Sequence, residues 1–307
     1  MPPNNDHREC QMSSDRIAIG VDGGGSSTRV RLAWRAHVIE RCGPPSGLAL
    51  GIERAWRNIL TTVEAALDEL GESFNPECCV MVLGLAGANQ SQWHKAFVET
   101  APQLAALRVE SDAFTTLIGA HGGEPGSIVA LGTGSVGAAL DVDGTRRFVG
   151  GYGFPSGDEA SGAWLGLRAI RHLQHVLDGR ARPDIFSQAL QAAVSGDHSS
   201  DSIDTPTALT HWLSVADQTR YAALAPLVLS HADHPVAAIL LEQAGADIAL
   251  MLQALDPHDR LPAALCGGLA EALLPWLPET LHQRLREPRE TSVAGALRLA
   301  RELLSAQ

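Results

Sequence analysis

Ile17-Ala18-Ile19-Gly20-Val21-Asp22-Gly23-Gly24-Gly25-Ser26-Ser27-Thr28 joins an apolar strand to a carboxylate and a hydroxyl-bearing glycine turn within twelve residues. Gly23, Gly24 and Gly25 carry no Cβ, so their backbone N–H groups can approach phosphate oxygens closely. Ser26, Ser27 and Thr28 add hydroxyl donors, and Asp22 is placed to hold a magnesium ion or its waters. The same residues also describe an ordinary hairpin turn, so the partners elsewhere in the chain decide between the readings.

Two further segments supply such partners. Ser127 to Leu131 is an apolar strand that runs into Gly132-Thr133-Gly134-Ser135 and then a second apolar strand, repeating the first device. Leu261 to Cys266 then leads into Gly267-Gly268 and a helix start, which suits close backbone approach to a flat base or its ribose. Each turn alone is a weak signal. Their order along one chain describes a nucleotide site with two phosphate turns.

With Leu83 to Gln90, Glu110-Ser111-Asp112-Ala113 and Gly150 to Gly162, these motifs resemble the sugar kinase, Hsp70 and actin superfamily of ATP-binding proteins. Within it they are similar to the BadF/BadG/BcrA/BcrD group, which contains amino-sugar kinases, and the likeness spans nearly the whole chain. The resemblance implies ATP and Mg²⁺ as cofactors, with Asp22 near the metal, Gly132 to Ser135 at the phosphates and Gly267 and Gly268 at the adenosine. It implies Asp112 as the base beside the sugar hydroxyl, with Ser46, Gly87, Thr133, Asp158 and Glu159 around the sugar. The implied reaction moves the γ-phosphoryl group of ATP to an amino sugar, N-acetylglucosamine or glucosamine, at the 6-hydroxyl. Relatives commonly carry an asparagine in the loop matching Gly43-Pro44-Pro45-Ser46-Gly47-Leu48; glycine stands there here, which leaves the choice of amino sugar open. Some relatives instead activate dehydratases through a cysteine-held iron–sulfur cluster.

Local chemistry offers other roles for the acids. Asp112 precedes an apolar helix and reads equally as its N-cap, and Asp158 has the same alternative before Ser161 and Gly162. A sugar-responsive or switch ATPase without phosphotransfer is the alternative function. The segment before Ile17 holds no helix-turn-helix, which disfavours a repressor.

Bulk properties narrow the classes. The 307 residues, 45% hydrophobic and 19% charged, can bury two cores. A formal charge of −12 argues against nucleic acid or an anionic membrane as partner. The five cysteines, Cys10, Cys42, Cys78, Cys79 and Cys266, form no C-x-x-C pair and are expected to be reduced core thiols. Residues 1–13 are expected to be disordered, with no signal-peptide core, and no run of about 18 uncharged apolar residues suggests a membrane span. A cytoplasmic protein is expected, and a homodimer is compatible with the helical second half. His172 and His175, and His231 and His234, sit at helical spacing without an evident third metal ligand. Trp164 is a candidate for the pocket wall.

The expected fold is α/β, a two-domain actin-like (ribonuclease H-like) architecture with duplicated βββαβα units and a helical second half. Strands are predicted at 17–22, 28–34, 37–42, 79–85, 108–110, 127–131, 136–141, 146–149 and 262–266. Helices are predicted at 51–69, 91–99, 113–121, 159–178, 183–194, 206–214, 218–230, 235–254 and 292–305. One domain is expected over 14–113 with the C-terminal helix from about 292 to 307, the other over 114–291.

Overall fold

The computed structural model describes residues 16–196 and 204–306; the expected disorder of 1–13, and Cys10 with it, lies outside them. The chain divides into two compact units, one made of residues up to Glu124 together with Pro288–Gln307, the other of Pro125–Glu287.

In the first unit, β1 (Ile17–Gly23), β2 (Thr28–Trp34) and β3 (His37–Gly43) form an antiparallel meander, and β4 (Cys79–Leu85) and β5 (Ala106–Ser111) continue the sheet in parallel, in the order β3-β2-β1-β4-β5. β4 is buried along its whole length, as expected of a central strand covered on both faces. One face is covered by α1 (Ile52–Asp68), whose stripe of Ala55, Ile59, Val63 and Leu67 is fully buried. Trp56 of α1 stacks on Phe97 of α2 (Ser91–Glu99) at 4.2 Å, and its indole N–H donates to the Phe97 carbonyl at 2.9 Å. The other face is covered by α3 (Asp112–His121) and the C-terminal helix α12 (Ser292–Ser305). These two helices meet through glycines: a Cβ on Gly295 would stand 2.5 Å from the Gly119 nitrogen, so neither position admits a side chain. That contact keeps α3 in the first unit. The boundary is therefore at Glu124, and the expected cut at 113/114 would have separated α3 from the helix it packs against.

The second unit repeats the opening. β6 (Gly126–Leu131), β7 (Ser135–Leu140) and β8 (Arg146–Gly150) form an antiparallel meander, and β9 (Ala263–Cys266) lies parallel to β6, in the order β8-β7-β6-β9. Between β8 and β9 come α4 (Gly162–Leu177), α5 (Ile185–Ser195), α6 (Thr205–Val215), α7 (Gln218–Ala222), α8 (Ala225–Ser230) and α9 (Pro235–Leu255). The short α10 (Ala270–Leu273) and α11 (Glu279–His282) follow β9. The single helix expected over 218–230 is two, because Pro226 cannot donate to the helical ladder and its ring opposes the carbonyl four residues back. α4 starts at Gly162 and not at 159, since Asp158 (φ 59°) and Ala160 (φ 63°) are left-handed and Ser161 caps the helix. Asp256 is buried and paired: it accepts from the Leu261 N–H and from Arg284, both at 2.7 Å, which fixes the entry to β9.

α9 is long and apolar enough to cross a membrane by length and composition. Glu242 and Asp247 interrupt its apolar run, and its Leu241, Ile248 and Leu252 are buried in the second unit's main core, with Leu255 buried in a smaller cluster.

Candidate functional site

In the first unit the parallel strands β1, β4 and β5 end together, with Gly23 opposite Leu85 and Leu85 opposite Ser111. Their carboxyl ends therefore carry Asp22 and the first glycine turn, the Ala86-Gly87 turn, and Asp112. Open α/β sheets gather ligands at this edge. Ser111, not Asp112, caps α3: its hydroxyl accepts from the Phe114 N–H at 3.2 Å. Asp112 is left at the first helical position, where its carboxylate accepts from the neighbouring Ala113 N–H at 2.8 Å. Burial pushes its pKa up from the ordinary carboxylate value, against the pull of that backbone bond. Asp22 is raised to about 6, chiefly by burial, with the charge of Asp112 adding to the rise and a hydrogen bond from Ser292 opposing it. The Ser292 hydroxyl, brought by α12, donates to Asp22 Oδ1 at 3.0 Å and lies 3.0 Å from Thr115 Oγ1 of α3.

The first turn is partly open. Gly25 has free space where a Cβ would stand, and Ser26 is exposed. Gly24 folds the turn by donating to the Ser27 carbonyl at 3.0 Å, and its own carbonyl accepts from Ser46 and Gly47. Thr28 and Ser46 are fully buried, and their hydroxyls meet each other at 2.6 Å, so they tie the turn to the 43–48 loop. Asn58 reaches that loop from α1 and donates to the Pro45 carbonyl at 2.7 Å. Gly87 (φ 89°) packs against Leu48 and Trp93.

In the second unit the parallel strands β6 and β9 deliver Gly132 and Gly267 to one edge. Gly267 (φ 94°) lies so close to the Leu131 backbone that any Cβ would collide with it; Gly268 beside it is exposed with open space around its Cα. The Gly132–Ser135 turn is braced through its carbonyls: Gly132 accepts from the Gly162 N–H at 2.8 Å and Thr133 from the Ala163 N–H at 3.2 Å, both at the start of α4. Ser135 donates to the Glu159 carbonyl at 2.6 Å, while its N–H bonds the Asp158 carboxylate. Asp158 is buried, and Gln218 of α7 donates to its Oδ2 at 2.7 Å. Burial raises the Asp158 pKa, opposed by these hydrogen bonds. Ser161 is the cap of α4, accepting from Trp164 N–H at 3.1 Å, so Asp158 is not the cap. Glu159 is half-buried, and its charge acts on Arg168 and Asp247. Trp164 is a core residue with the Arg168 guanidinium 3.4 Å above its ring.

Several groups that matter here carried no sequence signal. Ser292 and Gln218 hold Asp22 and Asp158 from far along the chain. Asp184 is the shared partner of two histidines, with Oδ2 at 3.0 Å from His172 Nε2 and 3.5 Å from His234 Nε2. Among the described residues no cluster of three or more His, Cys, Asp or Glu side chains is arranged to hold a metal. Among the described cysteines the expectation of core thiols holds for Cys79 and Cys266, while Cys42 is exposed and Cys78 half-buried. Cys266 is pushed up to about 12 by burial, which makes it unreactive.

The family profile of the BadF/BadG/BcrA/BcrD ATPases matches residues 19–297. The glucosamine kinase of Vibrio cholerae is 34% identical over 288 residues, covering 92% of this chain and 95% of its own. The N-acetylmuramic acid/N-acetylglucosamine kinase of Clostridium acetobutylicum is 29% identical over 56% of this chain and 58% of its own. Among solved structures, a Chromobacterium violaceum protein with a provisional N-acetylglucosamine kinase assignment superposes with a TM-score of 0.86 at 46% identity, covering 94% of this chain and 99% of that one. A ROK hexokinase from Thermus thermophilus shares the actin-like fold, with a TM-score of 0.52 at 18% identity over 95% of this chain and 100% of that one.

Proposed function

The chain belongs to the BadF/BadG/BcrA/BcrD ATPase family and is an ATP-dependent sugar kinase, and we propose that its acceptor is the 6-hydroxyl of glucosamine or N-acetylglucosamine. The observation that carries this reading is the placement of Asp112 at the carboxyl end of β5, electrostatically coupled to Asp22 at the end of β1, with its helix already capped by another residue. A carboxylate raised by burial is a better proton acceptor than a solvated one, and phosphoryl transfer asks for little more than an oriented hydroxyl and neutralised phosphate charge.

Asp112 takes the hydroxyl proton and aims the oxygen. Gly23 to Ser27 and Gly132 to Ser135 offer backbone N–H groups and hydroxyls to the phosphates, and Gly267 and Gly268 lie along the adenosine. Thr28 and Ser46 support the turn from beneath. Asp158, with Glu159 beside it, lies on the sugar side, held by Ser135 and Gln218.

Asp22 fits Mg²⁺: it is a desolvated carboxylate at the end of β1 whose Oδ1 takes one hydroxyl donor, and magnesium keeps most of its shell as water and phosphate oxygens around one or two carboxylates. When bound there, the ion neutralises phosphate charge. A small-molecule reaction of this kind suits a cytoplasmic protein.

The test is a coupled assay of ADP release with Mg-ATP and glucosamine, N-acetylglucosamine, N-acetylmuramate or glucose, run beside Asp112→Asn. Sugar-dependent release that falls about 10²–10⁴-fold in the variant supports the assignment and identifies the acceptor. Sugar-independent turnover that survives the substitution moves the protein to the switch ATPases.

A further inference from the structure

β2, β3 and α12 of the first unit border an open cavity of about 560 Å³, within the size range of small-ligand sites. Three guanidinium groups line it: Arg31 from β2, and Arg298 and Arg301, three apart and so on one face of α12. The Nε–H groups of Arg31 and Arg298 are buried and have no hydrogen-bond partner among the described residues. The nearby acids do not satisfy them: Glu40 Oε2 stays 3.8 Å from Arg31 Nε, and Glu290 reaches only the Nη2 of Arg298, at 3.4 Å. A buried donor without an acceptor is unfavourable, and Nε–H with its neighbouring Nη–H forms the fork that grips two oxygens of one oxyanion. The rest of the wall is different in character, with Glu290 and Glu302 as acceptors and Leu297 as an apolar floor.

We propose that this cavity binds a small phosphate ester bearing hydroxyl groups, its phosphoryl oxygens on Arg31, Arg298 and Arg301 and its hydroxyls on Glu290 and Glu302. A phosphoryl group presents three strong acceptor oxygens to the three guanidiniums, where a carboxylate presents fewer. The assignment is independent of the sugar-kinase reading, since none of these side chains belongs to the turns or acids described above. It has a structural corollary: the helix that supplies Arg298 and Arg301 begins at Ser292, the donor to Asp22, so an occupied cavity braces the support of that carboxylate.

Isothermal titration of the full chain with glucose 6-phosphate, inorganic phosphate, citrate and glucose tests the site, alongside the double variant Arg31→Gln/Arg298→Gln. The expected result is saturable binding of the ester, no binding of glucose, and at least about a ten-fold weaker Kd in the double variant while its circular dichroism and ATP binding are unchanged. Equal ester affinity in the folded variant overturns the site, as does the absence of ester binding to the wild type; tighter binding of citrate overturns the phosphoryl assignment. Should the double variant fail to fold, Arg301→Gln, on the exposed face of α12, reads the same loss.

Discussion

The two glycine turns look alike in sequence and are held differently. The turn at 132–135 is held by the segment 158–163: α4 donates to two of its carbonyls, Ser135 bonds Glu159, and Asp158 takes the Ser135 N–H. The turn at 22–28 is tied at its base to the 43–48 loop but is exposed at its tip, Gly25 and Ser26, and its acid is held by Ser292, 270 residues away. A glycine-rich signature therefore specifies a backbone path but not its stiffness, which is set by what packs behind it.

The sharpest way to break the comparison is Gly134→Ala. The new methyl would stand 2.7 Å from Asp158 Oδ2 and 3.1 Å from Gln218 Nε2, dislodging a buried carboxylate, and kcat/KM should fall by about 10²-fold or more in the coupled assay.

Asp22→Asn probes the loosely held side. Asp22 titrates near 6 in the folded chain and at 3.8 in the unfolded one, so the folded state binds its proton more tightly. Ionisation thus weakens folding progressively as pH rises from 3.8 to about 6, and the full penalty persists above that. The amide removes the penalty: urea denaturation should show the variant more stable at neutral pH by about 2–3 kcal/mol, with that gain vanishing below the unfolded value, while turnover is lost.

Smaller effects grade the supports. Gly267→Ala must distort either a left-handed residue or the Leu131 backbone, and chemical denaturation should show a loss of about 1–3 kcal/mol. Ser292→Ala removes one hydrogen bond to Asp22, about 1 kcal/mol, and should raise the Asp22 pKa further, readable as a shift in the stability–pH curve. Gly25→Ala, with open space at its Cβ, should change denaturation by no more than about 0.5 kcal/mol; a large loss would show that the first turn is as rigid as the second.

Strand and helix positions were legible almost throughout because periodicity is local: the stripe on α1 and the uninterrupted apolar run of β4 identify themselves. The three turns were legible for the same reason, since glycine clusters at strand ends have few other uses. What stayed hidden was set by distance in the chain. Nothing near Ser292 or Gln218 marks them as partners of Asp22 and Asp158, and the true caps, Ser111 and Ser161, were overshadowed by neighbouring acids with equal capping ability. The division of the 218–230 helix was legible at Pro226 and was missed because its apolar pattern continues across the break.

The packing of α12 onto the first sheet carries a consequence for biosynthesis. A Cβ on Gly20 of β1 would stand 2.7 Å from the Leu297 Cα, so this helix is seated directly on the central strands. Yet it is translated only after the contiguous stretch Pro125–Glu287 has been made. The downstream unit can complete its core during synthesis, whereas the upstream sheet, made before it, waits with one face covered by α3 alone until α12 appears. Vectorial synthesis and assembly run in opposite orders here, and the first unit's sheet is the part that stays open while the second unit is made.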